Sequence, residues 1–136
     1  NRELLKDRPQ VFQHGDYHIG NFMIGDDGEI YVIDFDRFDV GDPWEEFNRI
    51  VWSAQVSSSF ASGMIDGYFD HKVPDLFWKL LAIYILNNIV GALSWAVPYG
   101  AEEISVMQQQ AKEILEWYDD MNQIIPSWYL NKKKTE

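Results

Sequence analysis

Cysteine is absent from all 136 residues, which excludes a disulfide framework and thiolate zinc sites and fits a reducing, cytoplasmic setting. Basic residues are scarce: 11 Lys and Arg stand against 22 Asp and Glu, a formal net charge of −11. That balance argues against nucleic acid or an anionic membrane as partner, and its long-range field attracts cations. No repeat or low-complexity segment interrupts the chain, and the charged stretch Asn1 to Gln10 lacks the apolar core of a signal peptide. The chain does not begin with Met, which suits a fragment. One apolar run, Leu76 to Val97, has the length of a membrane span, but it carries Lys79, Asn87, Asn88 and Ser94, each costly in lipid. It reads as a buried helix of a soluble protein.

The composition, 46% hydrophobic and 15% aromatic, supplies the core of one domain over residues 1–136 and rules out intrinsic disorder. The chain changes character near Pro43. Before it, short apolar runs alternate with turn residues, and Gly25-Asp26-Asp27-Gly28 between Asn21–Ile24 and Glu29–Asp34 predicts a hairpin of two short strands. After it the spacing is helical. Asp42-Pro43 is a start signal, followed by Trp44, Phe47, Ile50 and Val51 at three- and four-residue spacing. Further helices are predicted at about 58–70, 74–96 and 101–122, the last with Ile104, Met107, Ala111, Ile114, Leu115 and Tyr118 on one face. The six Trp read as core residues, and Lys132-Lys133-Lys134 in the tail 126–136 reads as solvated. The fold class is therefore α+β and mostly helical.

Between His14 and Glu46 there are ten acidic residues and a single basic one, Arg37, so something cationic must balance part of that charge. Asp26, Asp27, Glu29 and Asp39 read as solvated turn residues. Asp34 differs: following Ile30-Tyr31-Val32-Ile33, it should emerge partly desolvated at a strand end, where a metal ion or strong donor is expected. The loop His14-Gly15-Asp16-Tyr17-His18-Ile19-Gly20-Asn21 is the other dense site. Asn21 and Asp34 offer oxygen ligands suited to Mg²⁺, and Asp16 is then free to accept a proton from an incoming hydroxyl. A positioned base and a metal on phosphate oxygens are what phosphoryl transfer asks of a protein.

His14-Gly15-Asp16-x4-Asn21 followed by Ile33-Asp34-Phe35-Asp36 resembles the paired motifs of the aminoglycoside phosphotransferase and choline kinase group, relatives of the protein kinases. The resemblance implies that Asp16 is the catalytic-loop Asp, and that Asn21 and Asp34 hold Mg²⁺ and the nucleotide, ATP or GTP. It gives His14, His18 and Asp36 supporting positions, and it matches Gly41-Asp42-Pro43-Trp44 to the segment leading into the helical subdomain. His14 reads as a brace of the loop, His18 equally as a support or a phosphate contact, and Asp42 equally as a helix cap or a site residue. Asp36 stands where a protein kinase has Gly, which favours small-molecule kinases. Only 13 residues precede His14, so the resemblance implies a C-terminal lobe: catalytic loop and metal hairpin over 1–43, helical subdomain over 44–125. The N-terminal nucleotide-binding lobe would be absent, the isolated chain inactive, and Leu4, Leu5, Val11, Phe12 and Phe35 partly uncovered, a face expected either to self-associate or to be covered by the chain's own N-terminal segment.

The leading expectation is an ATP-dependent O-phosphotransferase acting on a small hydroxyl acceptor, with the acidic charge favouring a cationic one such as an aminoglycoside or amino alcohol. Two alternatives stand beside it. One is a metal-dependent hydrolase using His14, Asp16, His18 and Asp34 as ligands. The other is a non-catalytic kinase lobe that only binds a partner.

Overall fold

The computed structural model describes residues 2–130; the lysine triplet lies outside them. The architecture is α+β and mostly helical. Four three-residue strands form two separate antiparallel pairs: β1 (Val11–Gln13) with β4 (Asp39–Gly41), and β2 (Phe22–Ile24) with β3 (Ile30–Val32). The second pair is the expected hairpin, in register Phe22 to Val32, Met23 to Tyr31 and Ile24 to Ile30. Its turn closes through Gly28, at φ +81°, and through Asp27, which accepts from the Glu29 N–H at 3.1 Å and the Tyr31 hydroxyl at 2.7 Å. The first pair was not expected. It places Asp39 opposite Gln13 in a strand rather than in a turn, because the intervening residues fold back on themselves and return the chain to its starting edge.

Helices begin where the turn residues place them. A tight single turn over Glu45–Arg49 leads into α1 (Ile50–Val56); α2 (Ser58–Tyr68) starts at Ser57, whose hydroxyl accepts from the Phe60 N–H at 3.2 Å. The long α3 (Asp75–Ala96) follows Pro74, and α4 (Ala101–Trp117) follows Gly100, at φ +98°. The last helix is shorter than its periodicity suggests. Asp119, Asp120 and Met121 all adopt left-handed backbone, and the Gln123 side chain donates to the Trp117 carbonyl at 2.7 Å, capping the helix there. Asp70 and His71 form a left-handed turn between α2 and α3.

The core forms between the helices. Ile50 and Val51 of α1, Ala61 and Ile65 of α2, Phe77, Leu81 and Ile85 of α3, and Ile114 and Tyr118 at the end of α4 are all essentially withdrawn from water, each buried aliphatic or aromatic side chain contributing about 1.5–3 kcal/mol. Phe77 sits at the centre, edge-on to Trp44, Phe47, Phe69 and Trp78. The stretch Asp75–Tyr99 is long and apolar enough to cross a membrane, with mean hydropathy 1.8 in its most apolar window. Only its first half is buried as expected; from Asn87 onward residues such as Val90 and Trp95 are exposed. Outside the core, Phe12 stacks with Phe35 and Phe38 on an exposed face that includes Val11 and Val40. Leu5 is likewise exposed, while Leu4 is half-buried.

Candidate active site

The loop after β1 turns at Gly15, where φ is +80° and a Cβ would stand 1.9 Å from the Arg37 carbonyl oxygen. Only glycine fits that approach. The His14 imidazole then ties this loop to the end of β3. Its Nδ1 accepts from the Asp16 N–H at 3.2 Å, so Nε2 carries the proton and donates to the Ile33 carbonyl at 2.7 Å. A second tie is made by backbone, the Ile33 N–H donating to the Asn21 carbonyl at 3.0 Å. Phe35 packs against the His14 ring with centroids 4.4 Å apart. The two halves of the motif, 12 residues apart in sequence, are thereby adjacent in space, and His14 acts as the brace.

Asp16 projects beside this junction. Its Oδ1 lies 3.4 Å from Arg49 Nε and its Oδ2 lies 3.7 Å from His18 Nε2. His18 is held from its other side, where Nδ1 accepts from the Gly20 N–H at 3.0 Å. Burial pulls the Arg49 guanidinium below its ordinary value, Asp16 acts in the opposite direction, and the charge of Arg37 adds to the lowering. Asn21 is buried, and its side-chain N–H donates to the Asp16 backbone carbonyl at 2.9 Å. That bond fixes the amide and leaves its oxygen available.

One face of the helix after Pro43 holds the loop. The Glu46 carboxylate accepts from the backbone N–H of His14 and, at 2.9 Å, of Gly15; Arg49 reaches Asp16; the buried Ser53 hydroxyl accepts from the Ile19 N–H at 3.3 Å. Glu46, Arg49 and Ser53 are three and four residues apart, the spacing of one helical face. None of the three was singled out by sequence reasoning as a site residue. The signal was there as a polar row, Glu46, Arg49 and Ser53, running beside the apolar stripe of Phe47, Ile50, Val51 and Ala54.

Asp42 resolves as structural. Arg8 donates to both of its oxygens, at 2.6 and 3.0 Å, the Tyr84 hydroxyl donates at 2.6 Å, and the Trp44 N–H at 3.0 Å. Arg8 also lies 3.9 Å over the Trp44 ring. Burial pushes the Asp42 carboxyl upward, but the hydrogen bonds from Arg8, Tyr84 and Trp44 and the charge of Arg8 outweigh it and hold the group below its ordinary value. Part of the acidic excess is therefore balanced by Arg8 and Arg49, which flank the acidic stretch in sequence.

Asp34 departs from expectation. It is exposed instead of partly desolvated, its backbone is left-handed at φ +65°, and it has no hydrogen-bond or ion-pair partner among the described residues. The chain turns sharply after Ile33, which points this residue outward from the strand end. Asp36 is also exposed and unpartnered among the described residues. No group of three or more His, Asp or Glu able to hold a metal occurs among the described residues. The four-ligand hydrolase cluster finds no support: both ring nitrogens of His14 and one of His18 are already committed to backbone partners.

A cavity of about 540 Å³ opens beside Asp16 and His18. Arg37 and Arg49 line it together with Trp52 of α1, Asn87, Asn88 and Trp95 of α3, and Glu103 and Met107 of α4. Its volume suits a small molecule. A second cavity, about 570 Å³, lies among Phe12, His14, Phe35, Phe47, Met64 and Tyr68.

The chain belongs to the phosphotransferase enzyme family, whose family model matches residues 1–77. That span contains the loop, the hairpin and the helix face that holds them. No curated protein and no solved structure matches the chain.

Proposed function

We propose that this chain carries the catalytic side of a phosphotransferase that moves the γ-phosphoryl group of ATP, or alternatively GTP, to a hydroxyl of a small molecule. The observation that carries the reading is the double tie of His14 and Asn21 to Ile33, which fastens the Asp16 loop to the residue before Asp34. In this reading Asp16 is the base. Its carboxylate, flanked by Arg49 and His18, accepts a hydrogen bond from the acceptor hydroxyl seated in the 540 Å³ cavity, and takes the proton as the new O–P bond forms and the bond from the γ-phosphorus to the departing nucleoside diphosphate breaks.

The donor set fits Mg²⁺. The Asn21 amide oxygen and the unpartnered Asp34 carboxylate are hard oxygen ligands, few enough to leave room for water and phosphate oxygens. What the ion supplies when bound is neutralisation of charge on the transferring phosphate; Asn21 and Asp34 are the residues that would hold it. Asp36, exposed two residues beyond Asp34, has a supporting place at most.

The test uses Mn²⁺ as a paramagnetic substitute for Mg²⁺. Addition of Mn²⁺ with ATP should broaden the NMR signals of the Asn21 side chain and the Asp34 amide first. Asn21→Ala and Asp34→Ala should each remove that broadening, and Asp16→Ala should keep it. Broadening centred on His14 and His18 without nucleotide would refute the reading.

A further inference from the structure

The charge of the acceptor pocket differs from that of the whole chain. At −11, the molecule as a whole attracts cations, yet the cavity beside Asp16 is lined by two acidic and two basic side chains, Asp16 and Glu103 against Arg37 and Arg49. Asp16 and Arg49 answer each other at 3.4 Å. Arg37 and Glu103 do not: neither has a hydrogen-bond or ion-pair partner among the described residues. They also come from different walls. Arg37 belongs to the segment between β3 and β4, with its backbone against Gly15 of the Asp16 loop, and Glu103 belongs to the first turn of α4. Arg37 lies near enough to Arg49 for its charge to be felt there.

A polycation would bring its charges against the arginine wall next to the base, and like-charge contact at a site is a strong means of exclusion. We infer that the acceptor is dipolar: a hydroxylated small molecule with an anionic group near the accepting hydroxyl, read by Arg37, and a cationic group farther off, read by Glu103. Trp52 and Trp95 supply the apolar faces on which its carbon skeleton lies. This assignment rests on the phosphotransferase reading for the identity of the hydroxyl, but the charge preference is a property of the pocket alone. It is therefore measured without nucleotide or turnover.

Four six-carbon polyols that differ in charge make the test: sorbitol (neutral), glucamine (cationic), gluconate (anionic) and 6-amino-6-deoxygluconate (dipolar, its charges at opposite ends). Each is titrated into the chain while the indole N–H signals of Trp52 and Trp95 are followed by NMR. The dipolar 6-amino-6-deoxygluconate should bind tightest and gluconate should exceed glucamine, each matched charge giving about threefold or more, with the differences shrinking in high salt. Arg37→Ala should bring gluconate down to the level of sorbitol, and Glu103→Gln should bring 6-amino-6-deoxygluconate down to the level of gluconate. Circular dichroism melting of both variants should match the parent. Tightest binding of glucamine, equal binding of all four, or an order unmoved by either substitution overturns the inference. The Mn²⁺–ATP broadening at Asn21 and Asp34 would stand or fall separately.

Discussion

The loop half and the helical half of this molecule are held together by different forces. From Arg8 to Ser53 the decisive contacts are polar and directional: Arg8 on Asp42, Glu46 on the His14 and Gly15 backbone, His14 on the Ile33 carbonyl. From Phe47 to Trp128 the decisive contacts are apolar, with Phe77 enclosed by four aromatic rings. The difference teaches where precision is placed. Burial of apolar area holds elements together without fixing an atom to a few tenths of an ångström, whereas hydrogen bonds fix direction, and the carboxylate of Asp16 needs direction. The two halves meet at the helix after Pro43, one face of which enters the core through Phe47, Ile50 and Val51 while the other grips the loop.

That division can be broken most visibly at Asp16. Asp16→Ala should reduce phosphoryl transfer by the active protein by about 10²–10⁴-fold, the contribution of a positioned proton acceptor, while leaving the melting temperature nearly unchanged; an equal loss of both would show that Asp16 supports the fold. Next come the two centres of stability. Phe77→Ala should cost about 3–5 kcal/mol through the cavity left in the core. Asp42→Ala should cost about 1–3 kcal/mol by leaving the half-buried Arg8 guanidinium and the Tyr84 hydroxyl without their acceptor. Urea denaturation measures both, and only the second loss should depend on salt or acid.

Acidity sharpens the comparison further. The Asp42 carboxyl titrates in the folded state below its ordinary value of 3.8, so the unfolded chain binds the proton first as pH falls. The stabilisation is complete well above 3.8 and is lost as pH drops through the lower folded value. NMR signals of the Arg8 guanidinium and the Asp42 amide should shift in acid before those of Leu81 and Ile114 deep in the core; simultaneous change would contradict a core held separately from this ion pair. The smallest expected effect is at Ser57. Removing that cap by Ser57→Ala should cost about 1 kcal/mol, read as a small fall in the urea midpoint, without altering binding in the Asp16 cavity.

Much of this was legible in the sequence. Gly25-Asp26-Asp27-Gly28 predicts the hairpin because its residues tolerate the required backbone, and Asp42-Pro43 marks a helix start for an equally local reason. The motif pairing of Asp16, Asn21 and Asp34 is carried by a family resemblance that the family match supports. What escaped was non-local. The β1–β4 pair joins residues about thirty apart and carries no turn signature of its own. Arg8 and Arg49 counter Asp42 and Asp16 from outside the acidic stretch, so a local charge count left unnamed the cations that balance part of it. Asp34 was expected to be partly desolvated on strand-end grounds, yet the left-handed turn at that very residue exposes it. The early end of α4 depends on a side-chain cap from Gln123, six residues beyond Trp117.

The central claim is that the Asp16 loop is positioned by the polar face of the helix behind it, independently of the core. Amide hydrogen exchange of the Glu46→Ala variant tests this most directly. Exchange at His14 and Gly15, whose N–H groups Glu46 accepts, should rise about tenfold or more, while the amides of Leu80, Leu81 and Ile85 in α3 keep their parent protection. Unchanged exchange at His14 and Gly15, or a uniform rise across loop and core alike, would contradict it.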